Sequence, residues 1–154
     1  MKPIVRCTNL HKVYHQGEID VHALRGVDLT IENGEFMALA GPSGSGKTTL
    51  LNLIGGLDQF DEGEVMINDD KLSTLSTREA TDLRLRHVGF IFQAYNLIPV
   101  LSAIENVEYI MLLQGVPGRR RRERAKTILE EVGLADMLNR RPHELSGGQQ
   151  QRVA

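Results

Sequence analysis

The chain has 154 residues, 41% of them hydrophobic and 25% charged, which is long enough for one domain with a real core and ordinary for a soluble globular protein. Its formal net charge of -2 argues against a protein built around nucleic-acid affinity, and a single cysteine, Cys7, excludes an internal disulfide and fits a reducing compartment. The N-terminus MKPIVRCTNLHK is too polar for a signal peptide, and apolar runs such as Tyr109 to Leu113 fall far short of the roughly 20 residues of a membrane helix.

The first third reads as strands. In VDLTIENGEF, Val27, Leu29 and Ile31 alternate with polar neighbours, and Asn33-Gly34 predicts a hairpin turn. FMALAG (36–41) is short and almost wholly apolar, the pattern of a strand buried on both faces. KTTLLNLIGGL (47–57) changes to helical spacing, with Leu50, Leu51 and Ile54 on one side and Gly55-Gly56 as the stop. GEVMIN (63–68) predicts another strand. Ser76 with Glu79, and Ser102 with Glu105, are capping boxes that open helices towards Arg86 and Leu113. Between them HVGFIFQ (87–93) is β-prone and breaks at Gln93. Ala125, Ile128, Leu129 and Val132 mark one face of a helix over 122–132, ended by Gly133, and Pro142 punctuates the approach to Gly147-Gly148. The basic run RRRRER (119–124) reads as a solvated helix face. His11, His15, His22, His87 and His143 show no metal-ligand spacing.

GPSGSGKTT, from Gly41 to Thr49, matches G-x-x-x-x-G-K-[ST] at every fixed position and lies between a predicted buried strand and a predicted helix. Glycines let successive backbone N–H groups curl around an anion, and the helix N-terminus adds unpaired N–H groups and the positive end of its dipole. Lys47 would reach the terminal phosphates, and the Thr48 hydroxyl would ligate Mg²⁺. A phosphate cradle is favoured over a plain glycine turn because spacing and context agree. No Asp has glycine three residues on and no Asn is followed by Lys, so a GTPase is disfavoured.

With this loop and LSGGQQQRVA (145–154) both in view, the sequence resembles the nucleotide-binding subunit of ATP-binding-cassette (ABC) transporters. LSGGQ is that family's signature, and Tyr14 and the Gln93 of GFIFQ also match its pattern. The resemblance covers essentially the whole chain. It implies an α/β P-loop NTPase of ABC type: an N-terminal β subdomain with part of the RecA-like core over 1–92, and the Gln93 loop, helical subdomain and signature over 93–154. It also implies roles at the matching positions. Tyr14 would stack on adenine. Gly41, Pro42, Ser43, Gly44, Ser45, Gly46, Lys47 and Thr48 would hold the phosphates of ATP, with Thr49 beside them. Gln93 would touch Mg²⁺ or the attacking water and couple the site to a membrane permease. Ser146, Gly147, Gly148 and Gln149 would contact the γ-phosphate of ATP on a second, facing cassette. A Ser-Gly-Gly turn entering a helix makes independent sense there, because it offers N–H groups to an anion. LNLIGGLDQFDEGEV, FQAYNLIPVLSAIENV and the signature resemble the lipoprotein-releasing and macrolide-exporter branch, whose cassettes work at the inner face of the cell membrane. INDDKL (67–72) departs from that branch's usual turn glycine, although Asn68-Asp69-Asp70 can also turn.

The resemblance also implies an apolar strand ending in Asp-Glu and a later switch histidine. Neither occurs: YIMLL runs into Gln114, TILEE is not a strand, and every histidine precedes the signature. The expectation is therefore an N-terminal portion that lacks the C-terminal core strands, binds ATP, hydrolyses it poorly and is marginally stable alone. A non-hydrolysing regulatory module and a soluble cassette of repair or translation are the alternatives. The short stretch between Gln93 and the signature disfavours the repair type.

Overall fold

The N-terminal alternation folds back on itself. In the computed structural model, which describes residues 3–154, β1 (Pro3–Gln16) and β2 (Ile19–Glu32) pair antiparallel from Pro3 opposite Glu32 to Gln16 opposite Ile19. The hairpin turn therefore falls at Gly17-Glu18, with Gly17 at φ +63°. β3 (Glu62–Ile67) joins the other edge of β1, and β4 (Asp70–Lys71) follows after a turn in which Asn68 adopts φ +55°, giving the antiparallel order β2-β1-β3-β4. The turn without a glycine is thus made by an asparagine, whose short polar side chain tolerates that conformation. α1 (Lys47–Ile54) packs against β1, β2 and β3, burying Leu50 and Leu53.

Two predicted strands do not form. Asn33-Gly34 does turn, with Gly34 at φ +80° and the Glu35 N–H donating to Glu32 O at 3.1 Å, but residues 35–42 then run outside any ladder. Residues 88–92 do the same. Phe36 is 97% exposed and Ile91 93%. A strand buried on both faces needs a hydrogen-bonded neighbour along its edges, and among the described residues none lies beside either segment.

The chain divides into two compact units, Met1–Arg84 and Leu85–Ala154, with α2 (Thr77–His87) running across the division. The second unit is helical: α3 (Ala103–Leu113), α4 (Gly118–Glu131) and α5 (Gly147–Val153). Its core gathers Ala103, Ile104, Met111, Ala125, Leu129, Leu134, Leu145 and Val153. Both expected capping boxes form, the Glu79 and Glu105 carboxylates accepting from the Ser76 and Ser102 N–H groups, each at 2.8 Å. α4 starts earlier than its apolar face because arginine is a good helix former and Pro117 sets the entry. The arginine run is not wholly solvated either: Arg121 and Arg122 turn onto the buried Glu108 of α3.

Asn106 fastens the loop before α3. Its Oδ1 accepts from the Ile98 N–H at 2.8 Å, and its Nδ2 donates to the carbonyls of Ile98, Leu101 and Ser102 at 3.3, 3.1 and 3.0 Å. Asn106→Ala strands these half-buried groups and is expected to lower the unfolding free energy by about 1–3 kcal/mol, read from urea denaturation.

Candidate functional site

The loop from Gly41 to Gly46 is shaped by its glycines and tied by its lysine. Gly44 and Gly46 sit at φ +78° and +85°, where a side chain is strained. A Cβ on Gly46 would come 2.5 Å from the carbonyl oxygen of Ala23, so the loop rests directly on β2, whereas a Cβ on Gly44 would meet nothing within 4 Å. The Ser45 N–H closes a turn onto Pro42 O at 3.3 Å. Gly46 is the N-cap of α1 and no side chain caps it, which leaves first-turn N–H groups for an external acceptor. Lys47 reaches back over the loop, its Nζ donating to Gly41 O at 2.9 Å, Pro42 O at 2.8 Å and Ser45 Oγ at 3.2 Å. Pro42, Ser43 and Thr48 are exposed, and Thr49 is half-buried. Exposed loop amides at an uncapped helix start, with one ammonium beside them, are chemically suited to an anion. Among the described residues no group of three or more His, Cys, Asp or Glu could hold a metal ion.

Tyr14 lies on β1 within the same unit, half-buried. Its hydroxyl donates to Asp58 Oδ2 at 2.8 Å, and the Lys12 ammonium lies 4.9 Å from its ring centroid. Burial, then the hydrogen bond to Asp58, raises the phenol above its ordinary pKa, while the Thr49 hydroxyl and the Lys12 charge act the other way. Thr49 thereby connects Tyr14 to the first turn of α1. Burial opposes charge on Asp58, but hydrogen bonds from Tyr14, the Gln59 N–H and Lys12 outweigh it and hold the carboxyl below its usual range. Lys12 and Asp58 escaped the sequence reading. The available signal was Lys12 standing two residues before Tyr14, the spacing that puts strand neighbours on one face.

The remaining candidates belong to the second unit. Gln93 is exposed, in a bend that follows the unpaired segment. Ser146 caps α5: its Oγ accepts from the Gln149 N–H at 3.3 Å, and Gln149 Oε1 accepts from the Ser146 N–H at 2.8 Å. The two glycines differ. A Cβ on Gly147 would sit 3.1 Å from the Tyr95 hydroxyl oxygen, a close approach the sequence did not reveal, whereas a Cβ on Gly148 would meet open space.

Known proteins share this chain's sequence and fold. A profile of the family described as ABC transporter matches residues 24–154. An uncharacterized ABC transporter ATP-binding protein of Thermotoga maritima is 49% identical over all of this chain and 66% of its own length. The lipoprotein-releasing system ATP-binding protein LolD of Saccharophagus degradans is 43% identical over 99% of this chain and 67% of its own. The macrolide export ATP-binding/permease protein MacB of Brucella melitensis is 45% identical over 99% of this chain but 24% of its own. Among solved structures, the ATP-binding cassette MJ0796, a dimer in a post-hydrolysis state bound to ADP and Pi, superposes with a TM-score of 0.90 at 46% identity, over 97% of this chain and 66% of that one. The present chain thus spans about two thirds of the separate cassettes and about a quarter of the permease fusion. With its loop, its Gln93 and its signature in place along an α/β chain, this protein belongs to the ABC transporter family.

Proposed function

We propose that the chain is the nucleotide-recognising part of a transporter subunit that couples ATP to a membrane permease of the lipoprotein-releasing or macrolide-export kind. The observation that carries the reading is the uncapped start of α1 behind a glycine loop, with the Lys47 ammonium lying across the loop's own carbonyls. Gly41 to Gly46 supply amides to the phosphates, Lys47 supplies positive charge, and Tyr14 takes the base with Thr49 beside it. Mg²⁺ bound with the nucleotide would screen phosphate charge, and Thr48, with Gln93, would hold it.

Ser146 to Gln149 serve a different nucleotide, one carried by a facing cassette. The open space at Gly148 leaves room for that approach, and the dimeric MJ0796 supports such an arrangement. Binding then draws two cassettes together, because the shared phosphate interacts only with the closed state. On this reading residues 1–92 grip the nucleotide and 93–154 report to the permease and the partner cassette. The fused permease of MacB supports a membrane partner, and on this reading the site works at the inner face of the membrane. No helix among the described residues is long and apolar enough to cross a membrane.

Titration of the chain with ATP and Mg²⁺ tests the proposal. Saturable binding that inorganic tripolyphosphate displaces is expected; no detectable binding at millimolar nucleotide overturns it.

A further inference from the structure

We infer that Lys12 and Asp58 are positioning residues for the nucleotide base, holding the Tyr14 ring with one face covered and the other presented for stacking. The inference rests on the ATP reading and deepens it. Lys12 is an almost fully buried cation, 9% exposed, on β1. Burial of an ammonium is costly unless its donors are used. Here they are: Nζ donates to Asp58 Oδ1 at 3.2 Å and to Gln59 O at 2.6 Å while standing over the Tyr14 ring. Asp58 divides its carboxylate, giving Oδ1 to Lys12 and to its neighbour's N–H, and Oδ2 to the Tyr14 hydroxyl.

The segment bearing Asp58 is itself pinned to β1. Val13 N–H donates to Asp61 Oδ2 at 2.6 Å, and Asp61 N–H to His11 O at 3.0 Å. This segment leaves the C-terminal end of α1, whose N-terminus carries the phosphate loop. The ring is therefore referenced to the helix that holds the phosphates.

Three consequences follow physically. A ring fixed at its hydroxyl and over one face loses little freedom when a base stacks on it, so more of the stacking free energy appears as affinity. A cation on one face makes the opposite face less electron-rich, which suits an electron-rich purine. A phenol already donating to a carboxylate is not free to read a base edge, so the ring selects for a flat base without choosing which purine.

The test compares ATP, GTP and inorganic tripolyphosphate, each with Mg²⁺, on the full chain. Tyr14→Ala is expected to weaken ATP and GTP alike by about tenfold, and Lys12→Met and Asp58→Ala by about threefold, following the size of base–aromatic stacking. Tripolyphosphate, which has no base, keeps its affinity throughout, and Lys12→Arg, which retains a cation over the ring, restores ATP binding. If Tyr14→Ala leaves ATP affinity unchanged, the base site is wrong and this inference falls with it. If Tyr14→Ala weakens ATP but Lys12→Met and Asp58→Ala do not, the base site stands and the positioning role is overturned. Equal losses for ATP and tripolyphosphate make the two residues merely structural, which also overturns it.

Discussion

Lys47→Ala is expected to weaken ATP binding on the order of a hundredfold, the scale of losing charge-assisted hydrogen bonds from one ammonium. Lys47 Nζ donates to the Gly41 and Pro42 carbonyls and the Ser45 hydroxyl, all within its own loop. On the proposed function, these contacts keep the charge beside the loop amides that would meet a phosphate. Removing the side chain has a double effect: the positive charge is lost, and two carbonyl oxygens are left facing an incoming anion. Lys47→Arg should recover little, because a planar fork cannot reproduce a compact point charge in so tight a loop. The fold should be spared, since alanine is at least as good a helix former at this first position of α1 and the lysine holds only its loop. Isothermal titration of both variants, beside far-ultraviolet circular dichroism, checks the result. Undiminished ATP affinity in a folded Lys47→Ala protein would remove the glycine loop from the nucleotide site.

How far the sequence reached depended on the range of the interactions. The shape of the glycine loop was legible because its constraints are local: Gly44 and Gly46 sit at positive φ within a few residues of the helix they open. Helices α2 and α3 were legible for the same reason, Ser76 with Glu79 and Ser102 with Glu105 being pairs three residues apart. Residues 36–41 and 87–93 were misread as strands because their composition asks for a ladder, and a ladder depends on neighbours that composition does not name. The first hairpin was placed at Asn33-Gly34, where a turn does occur but has no second strand to serve, while the operative turn at Gly17-Glu18 carries the weaker dipeptide. Lys12 with Asp58 and Tyr14 with Asp58 are 46 and 44 positions apart, beyond the reach of any local pattern. Only the folded chain shows that the aromatic expected at the base comes with its own cation and carboxylate. The arginine run failed in the same way, since its inward members are chosen by a glutamate on another helix.

That glutamate carries the largest expected effect on stability. Glu108 is 9% exposed in α3, with Oε2 3.2 Å from Arg122 Nη1 and Oε1 3.6 Å from Arg121 Nε. The two arginines are not equivalent: the Arg122 side chain is 51% exposed, whereas that of Arg121 is 22% exposed and its buried Nε has no hydrogen bond. Glu108→Ala therefore releases Arg122 to water but leaves Arg121 half-buried, its Nη1 bonded to Val116 O at 3.2 Å and its Nε without an acceptor. Removing one member of a buried ion pair costs several kcal/mol, chiefly through the stranded partner, and about 3 kcal/mol is expected here. The helix itself should tolerate alanine, so the loss arises at the α3–α4 contact and not within α3. Replacing both partners instead of one separates these terms. If the stranded charge is the cause, Glu108→Leu combined with Arg121→Leu recovers most of the stability lost by Glu108→Ala, because the pair is replaced by apolar surface at the edge of a core that already holds Ala125 and Leu129. Urea denaturation of the two variants beside the parent decides it: a Glu108→Ala midpoint indistinguishable from the parent's would make the triad an ordinary surface cluster, with the α3–α4 contact held by its apolar residues alone.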